Sequence, residues 1–558
     1  MKLPGLLLAL IFAQSASAAT VEYQLTPVLT QKSLTAVQFD VLFDGAATGR
    51  TNLELPDSWG GQEELWREIE GLQVVSGARM SAGEGAADRV LRHAPGSRIH
   101  LRYRVVQNWK EGPPSASDGN PYRPIIQPNY FHLIGNAAIV LPELDADATA
   151  RIRVNGLPQG WRFASDLEHA DLSLAQARTS ISVGGDYRIL RDEHSGLRLA
   201  IRGDWTFTDA EFLASVARIT HGHRRFWNDP DAPFLVTVTF LTTPDPGWTS
   251  IGGTGLDDAF AFFATPNAEE KLISRLLAHE GLHTWIPLKI GGMPETDEAA
   301  DYWLSEGFTD FYAARLLVRD GAWGPQEFAD DLNETLGAYA VSPARAYPNA
   351  RVTSDFWKDQ NIQKLPYQRG RLLAAIWDAR LRASGEQDLD DVVHAMRQRA
   401  TAGSELKAVG LFRKVAGQIG LDVDADLRQH IERGGPITLP KDAFAPCGEI
   451  VTRQVPNFHR GFDIDATTAK GNVISGTDPD SPAYAAGMRD GMQLIKRASG
   501  EIGNAQIEID YLVMDGDRER HIRYLPRAKG EHSVQMLHID PGLDAAGQAQ
   551  CRRVLGGG

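Results

Sequence analysis

The chain has 558 residues, of which 42% are hydrophobic and 23% charged, and its formal net charge is −15. At roughly 150 residues per domain this length predicts three or four domains, and the composition excludes a disordered or collagen-like chain. Two cysteines are too few for a disulfide scaffold, and the acidic balance argues against nucleic acid as a partner.

The first 18 residues have the pattern of a signal peptide. Lys2 precedes an apolar run at 6–13, and an A-S-A sequence ends at Ala18. We expect cleavage after Ala18 and export of the chain, to the periplasm or out of the cell; a buried N-terminal helix is the alternative. The run is shorter than the roughly 20 residues of a membrane span, and no later stretch qualifies, so no transmembrane segment is predicted after cleavage.

Residues 19–200 have the pattern of a β-rich domain. Segments that alternate apolar and polar residues are separated by Gly, Pro, Asp and Asn. Short strands with turn signals between them predict a β-sandwich. The predicted strands are 21–29, 34–43, 97–107, 137–144, 148–156 and 179–185.

Residues 201–440 change to the pattern of an α+β domain. The spacing of apolar residues predicts a helix over 209–227, and 233–241 is predicted as a strand. A glycine-rich turn at 252–258 is expected to lead into another strand. Further helices are predicted near 267–285, 300–319, 325–338, 367–384, 388–400, 408–419 and 424–433.

Residues 450–558 return to β signals. Within them, 471–497 has the pattern of a strand, a turn, a short helix, a glycine turn and a strand. Cys447 and Cys551 lie on either side of this segment. In an exported protein we expect them to form a disulfide, with two unpaired buried thiols as the alternative. The three terminal glycines are expected to fray.

The strongest chemical signal is the motif H-E-x-x-H, formed by His279, Glu280 and His283. On a helix the two histidines stand at i and i+4, so both imidazoles lie on one face and can bind Zn²⁺. Glu280 lies at the edge of that face, where it can act as general base toward the attacking water. The motif alone arises by chance in roughly a few per cent of such chains, so a third ligand is needed.

Glu306 is the candidate third zinc ligand. It lies in a second predicted helix, and residues 284–305 leave room for a loop and an antiparallel return. Two histidines and a carboxylate make a site for one zinc ion per chain, with one position left for water. Asp310 follows one turn later on the same face, where it can accept the distal N–H of His279 and fix its tautomer. An ordinary helix carboxylate is the alternative for both acidic residues.

Three segments together resemble a known family: H-E-G-L-H-T-W from His279, W-L-S-E-G-F-T-D-F-Y from Trp303 and L-P-Y-Q-R-G-R-L-L from Leu365. They are similar to the gluzincin metallopeptidases, above all to the M61 glycyl aminopeptidases, of which the chain is identified as a divergent member. The resemblance implies an N-terminal β domain, a thermolysin-like catalytic domain and a C-terminal PDZ domain. M1 aminopeptidases share the W-L-x-E-G-F pattern, usually with a shorter spacing and without a PDZ domain.

The resemblance also implies a role for Tyr367. In M1 and M61 enzymes the tyrosine of a Y-x-K-G-like motif hydrogen-bonds the oxyanion of the tetrahedral intermediate. Here the motif is Y-Q-R-G, with Arg369 in place of the usual Lys. We expect the role to persist, because the hydroxyl and not the cation performs the chemistry. A tyrosine that only packs at the start of a helix is the alternative.

The chain departs from the family at the predicted substrate-binding segment. M61 proteins often have G-G-L-E-H there, and in the M1 enzymes a Glu of this segment holds the α-ammonium group of the substrate. This chain has G-G-T-G-L-D-D, which contains Gly253 and places Asp257 and Asp258 where Glu and His would stand. Because aspartate is one methylene shorter, either Asp257 still binds the amine or the specificity has changed; a polar turn is the further alternative. Ile286 also replaces the Asn that often follows Trp285 in the family.

In the C-terminal region, H-R-G-F-D-I at 459–464 stands where PDZ domains carry their carboxylate-binding loop. The resemblance implies that backbone N–H groups of Arg460, Gly461 and Phe462 bind the C-terminus of a peptide, which adds to the domain as a strand. A folding or lid module without a ligand is the alternative.

The sequence thus predicts an exported zinc metallopeptidase acting on peptides, and it favours an aminopeptidase. The nearest rival keeps the zinc site but is an endopeptidase, or another peptidase that removes larger units and does not require a free N-terminus on its substrate. Asp257 and Asp258 prompt this hypothesis. A third hypothesis is a PDZ peptide-binding protein on an inactive peptidase scaffold. The intact metal and catalytic residues disfavour it.

Overall fold

A computed structural model of the chain describes residues 19–109, 122–168, 172–241, 249–256, 258–385 and 387–557. The predicted signal peptide, 1–18, lies outside the described residues. Within the described ranges, no helix combines the length and the apolar character needed to cross a bilayer.

The strands among the described residues of the N-terminal region form three β-sheets. A six-stranded sheet has the order β13-β11-β1-β2-β7-β4, and two four-stranded sheets have the orders β10-β3-β6-β5 and β12-β14-β9-β8. Apolar side chains from all three sheets pack into one large core. The strands are β1 Thr20–Thr30, β2 Ser33–Asp44, β3 Arg50–Glu54, β4 Ile69–Ser76, β5 Ala78–Ala82, β6 Asp88–His93, β7 Arg98–Val105, β8 Ile125–Gln127, β9 Tyr130–Ile134, β10 Leu141–Pro142, β11 Thr149–Val154, β12 Arg162–Ser165, β13 Leu172–Ser173 and β14 Ile181–Gly185.

The strand predicted over 137–144 is largely wrong. Its first residues belong to a short helix, α1 Gly135–Ala138, and only Leu141–Pro142 form a strand. The whole stretch from 134 to 142 is buried. A continuous apolar run is compatible with a buried helical turn as well as with a buried strand, so its pattern does not separate the two.

The central region begins with a mixed five-stranded sheet of order β15-β16-β17-β19-β18. Strands β16, β17 and β19 are parallel, and β18 pairs antiparallel with β19 at the edge. The glycine-rich stretch predicted as a turn is mostly a strand, because its backbone pairs with β19. Its composition alone favours a turn. The strands are β15 Arg188–Arg191, β16 Leu197–Ile201, β17 Phe234–Phe240, β18 Ile251–Gly255 and β19 Ala259–Ala264.

Helices form the rest of the central region. The first begins at a capping box in which Thr208 and Glu211 bond each other's backbone N–H groups. The helices are α2 Asp209–Trp227, α3 Glu270–Glu280, α4 Tyr302–Arg319, α5 Pro325–Val341, α6 Asn349–Asp355, α7 Gln360–Ser384, α8 Leu389–Thr401, α9 Ala408–Gln418 and α10 Asp424–Asp426, which continues as a π-helix over Leu427–Glu432.

Two helix boundaries differ from the prediction in ways that affect the site. Helix α3 ends at Glu280, and Gly281–Thr284 form a 3-10 turn that carries His283. Helix α7 begins at Gln360, and not at Tyr367, because it runs through Pro366. Burial of the apolar residues around Pro366 offsets the one backbone hydrogen bond that a proline removes.

The C-terminal region contains two small sheets. Strands β20 Gly448–Phe458 and β24 Arg527–Ile539 pair antiparallel, and β21 Gln493–Ser499, β22 Ile509–Asp515 and β23 Arg518–Tyr524 form the other sheet. A separate apolar core lies between Phe462 and Tyr524. The helices here are α11 Ile464–Ala469, α12 Pro482–Ala485 and α13 Ala545–Gly556.

The end of the chain returns to the central region. Leu537, Cys551 and Leu555 belong to the large core of the helical region. Cys447 and Cys551 form a disulfide, with their Cα atoms 4.6 Å apart. The expectation that the terminal glycines fray is wrong for Gly556, which is buried and whose carbonyl accepts a hydrogen bond of 2.7 Å from Arg319 Nε.

Candidate metal centre and active site

Three predicted ligands meet in the central region. His279 at the end of α3, His283 on the following 3-10 turn and Glu306 in α4 each offer one ligand atom, and these atoms lie within 4.8 Å of one another. Glu306 Oε2 lies 3.3 Å from His279 Nε2 and 3.4 Å from His283 Nε2. The Nε2 atoms of both imidazoles therefore point at the same carboxylate.

The donor set and its spacing fit a zinc ion. Neighbouring ligand atoms in a tetrahedral site with bonds of about 2.0–2.1 Å lie about 3.3–3.4 Å apart, which matches the two distances from Glu306 Oε2. His279 Nδ1 donates to Asp310 Oδ1 at 2.9 Å, and His283 Nδ1 donates to the Ile286 carbonyl at 2.9 Å. Both Nε2 lone pairs are thereby left to face the metal position.

The charges around this cluster are strongly coupled. Although burial alone would favour its protonated form, His283 and His279 hold the pKa of Glu306 well below its usual range. Burial disfavours a charged imidazole, but Asp310 and Glu306 raise the pKa of His279 to about 10. Two carboxylates thus supply negative charge where a divalent cation would bind.

Glu280 lies beside the metal ligands, against the edge of the central sheet. One of its carboxylate oxygens accepts a hydrogen bond of 3.3 Å from the Gly255 N–H of β18. Burial raises the pKa of Glu280, and the neighbouring imidazoles oppose that shift. A carboxylate with a raised pKa next to a metal position has the properties of a general base.

Tyr367 faces the same cluster from α7. Its ring stacks on that of His279 with the centroids 5.8 Å apart. Burial and the charges of Glu306 and Glu280 raise the pKa of the Tyr367 hydroxyl, which stays protonated and able to donate. Arg369 points elsewhere: it is buried and donates to the carbonyls of Arg345 and Tyr347.

The predicted substrate-binding residues fall in different places. Gly253 lies on the edge strand β18, where its carbonyl accepts a hydrogen bond from the Tyr122 hydroxyl at 3.1 Å. Asp257 lies outside the described residues. Asp258 lies at a separate cavity of about 120 Å³, whose lining includes Asp166 and Arg198.

The proposed peptide-binding loop of the C-terminal region is held by its own neighbours. The Gly461 N–H donates to His459 Nδ1, and the Tyr524 hydroxyl donates to the Arg460 carbonyl. Phe462 is buried in the local core. In the described part of the chain, the segment after this loop forms the helix α11. A peptide that adds as a strand would need a strand in that place.

Sequence reasoning missed two features of the site. Tyr122 comes from the N-terminal region, and burial together with the charge of Glu280 raises its pKa to about 12; no local pattern links it to a motif more than a hundred residues away. At Gly307 and Gly370 the backbones of α4 and α7 lie too close together to admit a Cβ. Their positions beside Glu306 and near Tyr367 were a signal that could have been used.

Comparison with known proteins found one family match and several similar structures. Residues 273–372 match the M61 glycyl aminopeptidase family. An aminopeptidase N family protein from Idiomarina loihiensis has a TM-score of 0.65 and 14% identity, over 96% of this chain and 100% of that chain. An M1 zinc metallopeptidase from Deinococcus radiodurans has a TM-score of 0.48 and 17% identity, over 76% and 95%.

At such identity the Idiomarina protein shows that the fold is shared. No curated protein matches the sequence. The family match covers both histidines of the metal site, Glu280, Glu306 and Tyr367. Residues 273–372, which carry the three candidate metal ligands together with Glu280 and Tyr367, are thus similar to the M61 glycyl aminopeptidase family.

Proposed function

We propose that the protein is a zinc-dependent metallopeptidase, and that it acts as an aminopeptidase. The observation that carries the proposal is the convergence of His279, His283 and Glu306 at zinc-ligand spacing. Glu280 and Tyr367 on two sides of that point add the two groups that hydrolysis of an amide needs. The match to the M61 family supports the same activity.

The positions of the side chains support the following mechanism. His279, His283 and Glu306 would hold the zinc ion, which would supply Lewis acidity toward water and the scissile carbonyl. Glu280 accepts the proton of the attacking water and then delivers it to the leaving amine. The Tyr367 hydroxyl donates to the oxyanion that develops at the carbonyl.

The edge of the central sheet is the proposed peptide-binding surface. Strand β18 is an edge strand, and Gly255 places its backbone directly beside Glu280. An extended peptide can pair with such an edge through the main-chain groups that Tyr122 and Glu280 do not already bond. We propose that Asp257 then binds the α-ammonium group, since it follows β18 closely in the chain.

Hydrolysis of matched peptides with free and with N-acetylated amino termini tests the aminopeptidase activity. We expect the acetylated peptides to be cleaved at least tenfold more slowly, because acetylation removes the charge that Asp257 would bind. Equal rates of hydrolysis for the free and the acetylated peptides would contradict the aminopeptidase hypothesis and favour the endopeptidase hypothesis.

The variant Glu280→Gln separates an enzyme from a binding protein on an inactive scaffold. Gln keeps the shape of the side chain but cannot accept the proton, so we expect zinc content to persist and turnover to fall at least a hundredfold, at the low end for a positioned general base. Metal analysis and peptide hydrolysis measure the two quantities. Unchanged turnover would rule out Glu280 as the base.

We propose a β-sandwich ahead of a thermolysin-like unit, and a PDZ-like module whose own core is formed between Phe462 and Tyr524. Binding of a labelled peptide with a free C-terminus, compared with binding of the same peptide amidated, tests whether that module binds a C-terminal carboxylate. Equal binding of the two peptides would contradict such a site.

We also propose export. The N-terminal peptide of protein recovered outside the cytoplasm should have the mass expected for cleavage after Ala18.

A further inference from the structure

A network of ion pairs extends behind the zinc ligand His279, away from the metal position. Asp310 Oδ1 accepts from His279 Nδ1 at 2.9 Å and also from Arg275 at 2.9 Å. The Nε of Arg275 donates to Asp331 Oδ1 at 3.0 Å, and the other oxygen of Asp331 accepts from Arg371. Each carboxylate is thereby held between two donors.

The network joins the three helices that carry the site to a fourth helix. Arg275 lies in α3 one turn before His279, Asp310 lies in α4 one turn after Glu306, and Arg371 lies in α7 one turn after Tyr367. Asp331 comes from α5, which contributes none of the metal ligands. The network therefore ties the metal-binding helices and the tyrosine helix to a helix outside the centre.

Positive and negative side chains alternate along the network, and most of the surface of each side chain is buried. Asp310 and Asp331 are negative, and Arg275 and Arg371 are positive, so the four charges cancel. Their side chains expose between 3% and 19% of their surface. Removal of one partner from such a network leaves an uncompensated charge in a poorly solvated place, so the partners hold one another in fixed positions.

We propose that Arg275 and Asp331 are positioning residues for zinc: they hold the Asp310 carboxylate where it orients the ring of His279. The inference rests on the proposed zinc-dependent function. Arg275 suits this role because its planar guanidinium reaches Asp310 and Asp331 with different nitrogens at once, which the point charge of a lysine does not reproduce.

The test measures zinc affinity itself. The dissociation constant for zinc of the full-length apoprotein is determined by competition with a chromophoric chelator, for the wild type and for Asp331→Asn. Asn presents an acceptor to only one of the two arginines, so Asp310 loses its fixed support and one positive charge of the network is left uncompensated. We expect roughly tenfold weaker binding, the low end of the effect of residues that support metal ligands.

Asp330→Asn is the matched control. Asp330 is the neighbour of Asp331 in α5, but it is exposed and pairs only with Gln326 among the contacts of the described residues. The change in charge is the same, so this variant should bind zinc as the wild type does. Wild-type affinity in Asp331→Asn would overturn the proposal.

A second variant keeps the proposal testable if Asp331→Asn does not fold. Arg275→Lys retains the charge but loses the fork, and it too should weaken zinc binding; wild-type affinity would overturn the proposal. The melting temperatures of the metal-free variants separate a positioning role from a purely structural one. A purely structural role would lower the melting temperature without changing the zinc affinity of the folded state. If the wild-type protein binds no zinc, the proposed function itself fails, which is a different outcome.

Discussion

At the scale of single residues, the site depends on which atom of each side chain faces the centre. The spacing of H-E-x-x-H predicted that both histidines share a face, and the one-turn separation from Glu306 predicted Asp310 as a partner of His279. Periodicity places the members of each pair, His279 with His283 and Glu306 with Asp310, on one face. The contact between His279 and Asp310 joins two helices, and it was inferred from the assumption that Glu306 and His279 share a metal ion. The Ile286 carbonyl that orients His283 was not predictable, because it depends on the 3-10 turn after α3.

Tyr367→Phe should separate the hydroxyl from the ring. Phe keeps the stacking on His279 but has no donor for the oxyanion. We expect kcat to fall about 10²–10³-fold, as for removal of one oxyanion donor elsewhere, with zinc content unchanged. Steady-state kinetics with metal analysis measure both; a kcat within twofold of the wild type would show that Tyr367 only packs.

Asp166 predicts a pH dependence of stability outside the metal centre. Burial, and to a lesser extent Asp258, raises its pKa to about 7, against the opposing effects of the Ile181 N–H and Arg198. The folded chain thus retains a proton that the unfolded chain, with a pKa near 3.8, has lost. The free energy of unfolding should therefore fall, by on the order of a few kcal/mol, as pH rises from about 4 to 7, and stay constant above.

Asp166→Asn removes this titration while keeping an acceptor for the Ile181 N–H. We expect the variant to melt close to the wild type at pH 4 and above it at pH 8. The difference between the two proteins cancels the titration of other groups. An equal difference at both pH values would mean that Asp166 is ionised in the folded state.

At the scale of elements, the separation of α4 and α7 is set by two glycines. A Cβ on Gly370 would lie 1.7 Å from the Trp303 carbonyl, and one on Gly307 would lie 2.3 Å from the Gly370 Cα. Because Glu306 adjoins one glycine and Tyr367 lies within a turn of the other, this contact fixes the distance between metal ligand and phenol. The glycines of E-G-F and Y-Q-R-G thus have a packing reason.

Gly370→Ala should therefore force the two helices apart. We expect a loss of about 1–3 kcal/mol or more, as for overpacked cores, and a fall in kcat because Tyr367 moves with its helix. Gly337→Ala is the control, since Gly337 lies in α5 with no atom within 4 Å of the added Cβ, and alanine should there be neutral or stabilising. Equal melting temperatures for the two variants would contradict the argument.

Helices were easier to predict than sheet edges. The predicted range 209–227 coincides with α2, and 325–338 lies within α5, because the apolar spacing of a helix is contained in its own sequence. The prediction of a turn at strand β18 was wrong because residues 252–255 of this strand have the composition of a turn. Its pairing with β19 is a property of the neighbouring strand, and no window around Gly253 reports it.

At the scale of the molecule, the end of the chain completes the helical core. Helix α13 packs on α4, and Arg319 of α4 binds the Gly556 carbonyl. The β signals of the C-terminal region were predicted, but this return was not, since a contact between residues more than two hundred positions apart has no local signature.

Leu555→Ala tests the importance of this docking. Leu555 is 1% exposed, and a buried leucine shortened to alanine costs about 2–5 kcal/mol. We expect a lower melting temperature, and a smaller effect for Arg552→Ala on the exposed side of the same helix. Similar melting of the two variants would show that α13 contributes little to the core.

The position of α13 in the chain also affects when the helical core can be completed. A ribosome makes α13 long after α4, so the side of α4 that α13 covers stays exposed until synthesis has passed Gly556. Closure of the Cys447–Cys551 bond must likewise wait until Cys551 has been made. The helical core therefore cannot be complete before synthesis has passed α13.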